Sequence, residues 1–299
     1  MAYDEYGLGA SLTPLEETMS NEVMQWMNDL PGIGPVDVTV IDWPRQLLDL
    51  YAAMRHSRDC SFCLNPELCK HKGARIVVRA RRLNSHLLGY EVGAELCTKK
   101  SEAKAEQQRE DRFKASGIPA GWRDKTLENF VTGADRVLRT AKIYAEAAAQ
   151  GRASLIFGGP TGTGKTHLAV AAGLEQLAQG KRVLFASMPR LLSDIHTETM
   201  SDGISASLEK AIAVDLLILD DVGTQRETIF RDENIYEIIN ERYNHKRQII
   251  VTTNAVEVKD IETAFGSETA GKRAYSRLCE MCEQWFFDGV ADYRKKAAA

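Results

Sequence analysis

Gly159-Pro160-Thr161-Gly162-Thr163-Gly164-Lys165-Thr166 is the stretch on which the reading of this chain turns. It satisfies the pattern G-x-x-x-x-G-K-[ST] at every fixed position. Glycines at these places let the backbone curl until successive N–H groups face one point, a geometry suited to phosphate oxygens. The apolar run Ser154–Phe157 before it predicts a short buried strand, and Thr166–Gln179 after it predicts a helix closed by Gly180. A helix start placed there adds its dipole and free N–H donors to the attraction for an anion. The expected ligand is ATP with Mg²⁺. Lys165 then sets a positive charge on the β and γ phosphates, and the Thr166 hydroxyl takes one Mg²⁺ coordination position.

Working outward, strands alternate with helices from about Thr126 onward. Strands are expected at Arg182–Ala186, Val214–Asp220, Gln248–Thr253 and Trp285–Phe287. Helices are expected near Arg190–Thr199, Ala206–Ala213, Glu233–Asn244 and Ala270–Cys282. Five strands interleaved with helices predict an α/β fold, a parallel sheet covered on both faces. Val214-Asp-Leu-Leu-Ile-Leu-Asp220-Asp221 ends a buried-type strand on two acids. A sheet interior cannot hold such charges, so they belong at its carboxyl edge, where open α/β sheets bind ligands. Asp220 is assigned to Mg²⁺, directly or through water, and Asp221 to the attacking water. The strand Gln248–Thr253 runs into Asn254, whose amide can reach the γ-phosphate or that water.

Four stretches carry a family likeness: GGPTGTGKTHLAVAA (158–172), VDLLILDDVG (214–223), QIIVTTN (248–254) and KRAYSRL (272–278). They resemble the bacterial and phage helicase loaders of the DnaC and DnaI kind, and are also similar to IstB, the ATPase that assists certain transposases. The likeness covers roughly Thr126 to Lys295. It implies an AAA+ core without a C-terminal helical lid, self-associating so that an arginine of one subunit serves the next. Ser276-Arg277-Leu278 matches the family's box, making Arg277 the finger and Arg273, one turn earlier, a second candidate. Asp292-Tyr-Arg294 resembles the loader C-terminus, which implies that Arg294 touches nucleotide phosphate. The helical insert Met188–Ala213 is implied to line a path for single-stranded DNA. Most AAA+ proteins have Glu where Asp221 stands, so slower turnover is implied.

The first 98 residues read differently. Leu15, Met19, Val23, Met24 and Met27 recur at helical spacing, Pro31-Gly-Ile-Gly-Pro35 breaks that helix, and Trp43–Met54 reads as a second. Cys60, Cys63, Cys69 and Cys97 form a plausible tetrahedral zinc set, with His71 as substitute ligand. The pattern resembles the zinc-bearing, helicase-docking domain of DnaI-type loaders. The Cys279–Cys282 pair reads as packing. Residues 1–59 carry ten acidic and three basic side chains, whereas residues 70–114 carry twelve basic and six acidic. The latter is either a positive surface for an acidic partner or a solvated helix face. The organisation expected is a small helical, zinc-binding partner-docking domain over 1–98, a charged linker or exposed helix over 99–125, and the ATPase core over 126–299. With 44% apolar and 27% charged residues, strand-length apolar runs and no basic–apolar leader, the expected compartment is the cytoplasm. The expected role is loading of a hexameric replicative DNA helicase. The alternatives are an IstB-like transposition helper and an adaptor that binds ATP without hydrolysing it.

Overall fold

The computed structural model describes residues 14–29, 43–61, 74–82, 88–223, 228–265 and 269–293. They fall into two compact units, Met1–Gln107 and Gln108–Ala299. In the first unit, helices α1 (Pro14–Asn28) and α2 (Trp43–Ser61) bury Val23 and Met27 against Leu50 and Met54. The N-terminal domain expected to be helical is so only in part. Strands β1 (Ala74–Arg82) and β2 (Leu88–Leu96) form an antiparallel hairpin in register Ala74↔Leu96 through Arg82↔Leu88. The signal was present: Ile76, Val78 and Ala80 alternate with Arg75, Val77 and Arg79, a period of two. Val78 and Val92, opposite each other, turn onto the α1–α2 core. The charged stretch that follows is a helix, α3 (Thr98–Ala115), with no buried residue.

The second unit contains the expected parallel sheet. Helix α4 (Arg136–Ala149) was not foreseen. It starts on Asp135, whose carboxylate accepts from the Val137 and Leu138 amides at 2.8 and 3.3 Å, and it lays an alanine face on the core. Then come β3 (Ser154–Gly158), α5 (Lys165–Ala178), β4 (Val183–Ser187), α6 (Met188–Asp202), α7 (Ala206–Ala213), β5 (Leu216–Val222), α8 (Ile229–Asn244), β6 (Gln248–Thr253), α9 (Val258–Phe265), α10 (Thr269–Met281) and β7 (Cys282–Phe286). All five strands are parallel, in the order β4-β5-β6-β3-β7. Alternation along each strand divides the core. Ile156, Leu217, Leu219, Ile249 and Val251 face α6, α8 and α10, while Leu155, Phe157, Leu216, Ile218 and Ile250 face α4 and α5. From β3 the chain crosses to β4 at one edge, and from β6 it crosses to β7 at the other. The neighbouring carboxyl ends of β3 and β6 therefore bound the crevice where such sheets bind ligands.

Two features finish the sheet. At the free side of β4, the Phe185 amide donates to the Ser116 carbonyl at 2.7 Å, and Ile118 enters the core beside it. At the amino ends of the strands, Arg242 of α8 is fully buried. Its guanidinium donates to the carbonyls of Ala211, Ile212 and Val214 at 2.8, 3.2 and 3.0 Å, of Asp215 at 3.3 Å, and of Gln248. Burial, then the neighbouring charge of Arg247, push its pKa down to about 9. The carbonyl dipoles still hold the cation at neutral pH. Arg242→Met keeps the volume and removes every donor at once. It should lower the unfolding free energy by roughly 3 kcal/mol or more, because buried carbonyls lose their partners. Urea denaturation monitored by circular dichroism measures this, and a loss under about 1 kcal/mol would mean that the carbonyls are satisfied without Arg242.

Candidate functional site

The loop between β3 and α5 has the conformation that its glycines predict. Gly159, Gly162 and Gly164 stand at φ 137°, 77° and 98°, where a side chain would be strained. Each is also closed in. A Cβ on Gly164 would lie 2.6 Å from the Phe130 ring, one on Gly162 would lie 1.8 Å from the Asp292 carboxylate, and one on Gly159 would touch Phe287. Lys165, 6% exposed, donates from Nζ to the Gly159 and Pro160 carbonyls at 2.7 Å each and to Asn254 Oδ1 at 3.4 Å. The cation is thus fixed over the loop beside Pro160 and Thr161, with the end of β6 within reach. Thr163 Oγ1 donates to the Pro160 carbonyl at 2.9 Å and tightens the turn.

Asp220, at the end of β5, is 6% exposed. Its Oδ1 accepts from Thr166 Oγ1 at 2.8 Å and from Thr252 Oγ1 at 2.6 Å. Burial raises its pKa, the two hydroxyls oppose the rise, and the neighbouring Asp221 adds to it. A hydroxyl and a carboxylate so placed are a hard-oxygen pair of the kind that Mg²⁺ takes. Asp221 parts company with Asp220. The ladder to β6 shifts register between Leu219 and Val222, and Asp221 adopts φ 56° with its amide donating to Thr252 Oγ1 at 3.1 Å. Asp is among the few residues that tolerate this region. The result is one acid buried against Thr166 and the next turned out to solvent at the same sheet edge.

The remaining candidates divide. Arg273 is exposed on α10, whereas Arg277 is partly buried, with its guanidinium 5.0 Å from the Tyr236 ring and 5.7 Å from the Tyr243 ring of α8. Arg294, Cys63, Cys69 and His71 lie outside the described residues. Cys60 and Cys97 are partly buried, and among the described residues no group of three or more His, Cys, Asp or Glu side chains is placed to hold a metal. Cys279 accepts from Gln284 Nε2 at 3.3 Å, while burial pushes the Cys282 thiol up, as a packing residue requires. Three contributors escaped the sequence. Thr252 lies between the two acids in a strand otherwise legible only as apolar. Phe130 and His167 meet edge to face at 5.2 Å beside the loop, and His167 Nε2 lies 2.9 Å from the Thr126 carbonyl. Thr126 and Asn129 close that segment reciprocally, at 3.0 and 3.2 Å, a short Thr-x-x-Asn signal that can be read only in retrospect.

Asp220→Asn offers a direct test of the buried carboxylate. A raised folded-state pKa means that ionisation disfavours the folded form as pH rises from the unfolded value through the folded one. The neutral amide retains an oxygen for Thr166 and Thr252 and omits that penalty. The variant should melt a few degrees higher at pH 7 while losing Mg²⁺-dependent nucleotide binding. Thermal melts and titration with a fluorescent ATP analogue, each with and without Mg²⁺, measure both. Unchanged Mg²⁺ dependence would remove Asp220 from the metal site.

Known proteins share parts of this sequence. The replicative helicase loader DnaC of Buchnera aphidicola subsp. Schizaphis graminum is 34% identical over 145 residues, 46% of this chain and 59% of the relative. A putative insertion sequence ATP-binding protein of Sinorhizobium fredii is 33% identical over 156 residues, covering 50% of this chain and 51% of that protein. The chain thus spans little more than half the length of either relative. A crystal structure of the DnaC helicase loader superposes with a TM-score of 0.48 at 25% identity, over 56% of this chain and 99% of that one. No helix among the described residues is long and apolar enough to cross a membrane. The family described as IstB-like ATP binding protein matches residues 82–299, nearly three quarters of the sequence, and with the phosphate loop, buried lysine and buried aspartate in place the chain belongs to that family.

Proposed function

We propose that this protein is an ATP-hydrolysing AAA+ assembly factor that loads a hexameric replicative DNA helicase onto single-stranded DNA. The observation that carries the reading is the Thr166–Asp220 hydrogen bond beside the buried Lys165 ammonium, a phosphate cradle and a Mg²⁺ position built from a helix start and a strand end far apart in sequence. Thr166 and Asp220 would hold Mg²⁺, which would supply charge neutralisation for phosphoryl transfer. The protein's own groups do the rest. Lys165 binds and orients the phosphates, Asn254, 3.4 Å from Lys165 Nζ, reaches the γ-phosphate or the attacking water, and Asp221 orients that water from the solvent side. Relatives named as replicative helicase loaders supply the partner class. Zinc on Cys60, Cys63, Cys69 and Cys97, or on His71 in place of one cysteine, would staple the N-terminal docking unit. The hairpin between Cys69 and Cys97 would bring the last ligand back toward the first.

A second reading is favoured by the family match and by the insertion-sequence relative: an ATPase that assists a transposase on duplex DNA. Co-purification separates the two. Retention of a hexameric helicase that depends on ATP supports loading, and retention of a transposase instead would replace it.

Hydrolysis is assigned to subunit interfaces, with Arg273 and Arg277 as the residues offered to a neighbour. Arg273 is exposed and Arg277 leans on Tyr236, so single and double Ala variants should bind ATP nearly as tightly as wild type and hydrolyse little. Mixing them with Lys165→Ala chains, inactive alone, should restore activity in the presence of single-stranded DNA and helicase. No recovery at any ratio would place both arginines outside a shared site. Metal analysis of reduced protein should find about one zinc per chain, since one four-ligand site is proposed. Cys60→Ser with Cys63→Ser should release it while leaving nucleotide binding intact, and metal-free wild type would refute the zinc site.

A further inference from the structure

The chain beyond β7 does not leave the site. The Phe287 amide donates to the Gly158 carbonyl at 2.8 Å, immediately before the phosphate loop, and the Phe287 ring is buried edge to face on Phe157 at 5.6 Å. Val290 is buried in the same cluster. Three residues further on, the Tyr293 amide donates to the Gly162 carbonyl at 2.9 Å, while the Asp292 carboxylate packs so closely on Gly162 that no side chain fits there. The Tyr293 side chain is itself 59% exposed, so its backbone makes the contact. A loop with three glycines at positive φ has unusually many conformations to lose when it closes on a phosphate. These contacts remove much of that freedom beforehand.

We infer that Asp292 and Tyr293 are positioning residues for nucleotide, which hold Gly162 and through it the phosphate loop in the receptive conformation. The inference rests on the reading of this loop as the ATP site. Order in the loop and order in residues 287–293 are then linked, and linkage is reciprocal: the segment strengthens nucleotide binding, and nucleotide steadies the segment.

Three measurements on the full-length protein test it. Tyr293→Pro deletes the amide donor, whereas Tyr293→Ala keeps it and removes only the exposed ring. ADP and a non-hydrolysable ATP analogue should bind roughly three- to tenfold more weakly to the Pro variant, the worth of one hydrogen bond, and unchanged to the Ala variant. In the wild type, hydrogen exchange at the amides of Phe287 and Tyr293 should slow when either nucleotide is added, a readout that also stands if the Pro variant misfolds. Equal affinities of the Pro and Ala variants, or exchange unmoved by bound nucleotide, would overturn the inference and leave the ATP site standing. A wild type that binds neither nucleotide would overturn both.

Discussion

One carboxylate oxygen holds the carboxyl edge of this sheet together. Asp220 Oδ1 accepts hydroxyl donors from Thr166, 54 residues earlier in sequence, and from Thr252, 32 residues later. The first belongs to the helix that follows the phosphate loop and the second to the strand between it and Asp220. A charge in that position would be intolerable in the sheet interior, and desolvation already raises its pKa. Two hydroxyls make it tolerable, and in doing so they fix the distances among loop, strand end and helix start. The same pull turns Asp221 outward, because the backbone that buries one acid must bulge and adopt a left-handed residue to expose the next. The site is thus a local conflict between burial and charge, resolved by geometry.

Much of this was legible in the residues. The phosphate loop announces itself because only glycine tolerates the angles it needs, and the strand that carries Asp220 had to bring its acids to the sheet's carboxyl edge because charge does not enter a parallel sheet. The five strands could be placed because apolar runs of strand length alternate with helical periodicity. Other parts had no local signature. Thr252 is a β-branched residue in a β-branched strand, and only the three-dimensional neighbourhood gives its hydroxyl a task. Arg242 reads as an ordinary helix cation, yet it meets five carbonyls gathered from three segments. Phe130 closes on Gly164 from a segment with no periodicity at all. The β-hairpin has a period of two that Val77 interrupts, and the cysteine spacing around it is the stronger local signal.

The insert between β4 and β5 adds a polar network to two helices whose inner faces, Met188, Leu191, Ile195 and Ala211 among them, are buried in the core. Glu198 near the end of α6 accepts from Ser205 Oγ at 2.7 Å, from the Ser207 amide at 2.8 Å and from Ser207 Oγ at 2.7 Å, which caps α7 and lowers the carboxyl pKa. Met200 and Ile204 remain exposed at the turn. Packing on the sheet holds the inner faces of the helix pair, and these hydrogen bonds hold its outer turn.

The short pairing of Phe185 with Ser116 has a consequence for the whole molecule. A parallel sheet that ends on a bare strand is a template for any passing chain in extended form. Ser116 takes up the Phe185 amide of that template, and at Gly117, φ 73°, a Cβ would fall 2.7 Å from the Phe185 carbonyl oxygen, which leaves no room for a replacement. A fragment that begins after Ile118 would keep every nucleotide-facing residue and yet display a sticky border. The border of the sheet is accordingly guarded by residues that touch neither the phosphate cradle nor any part of its chemistry.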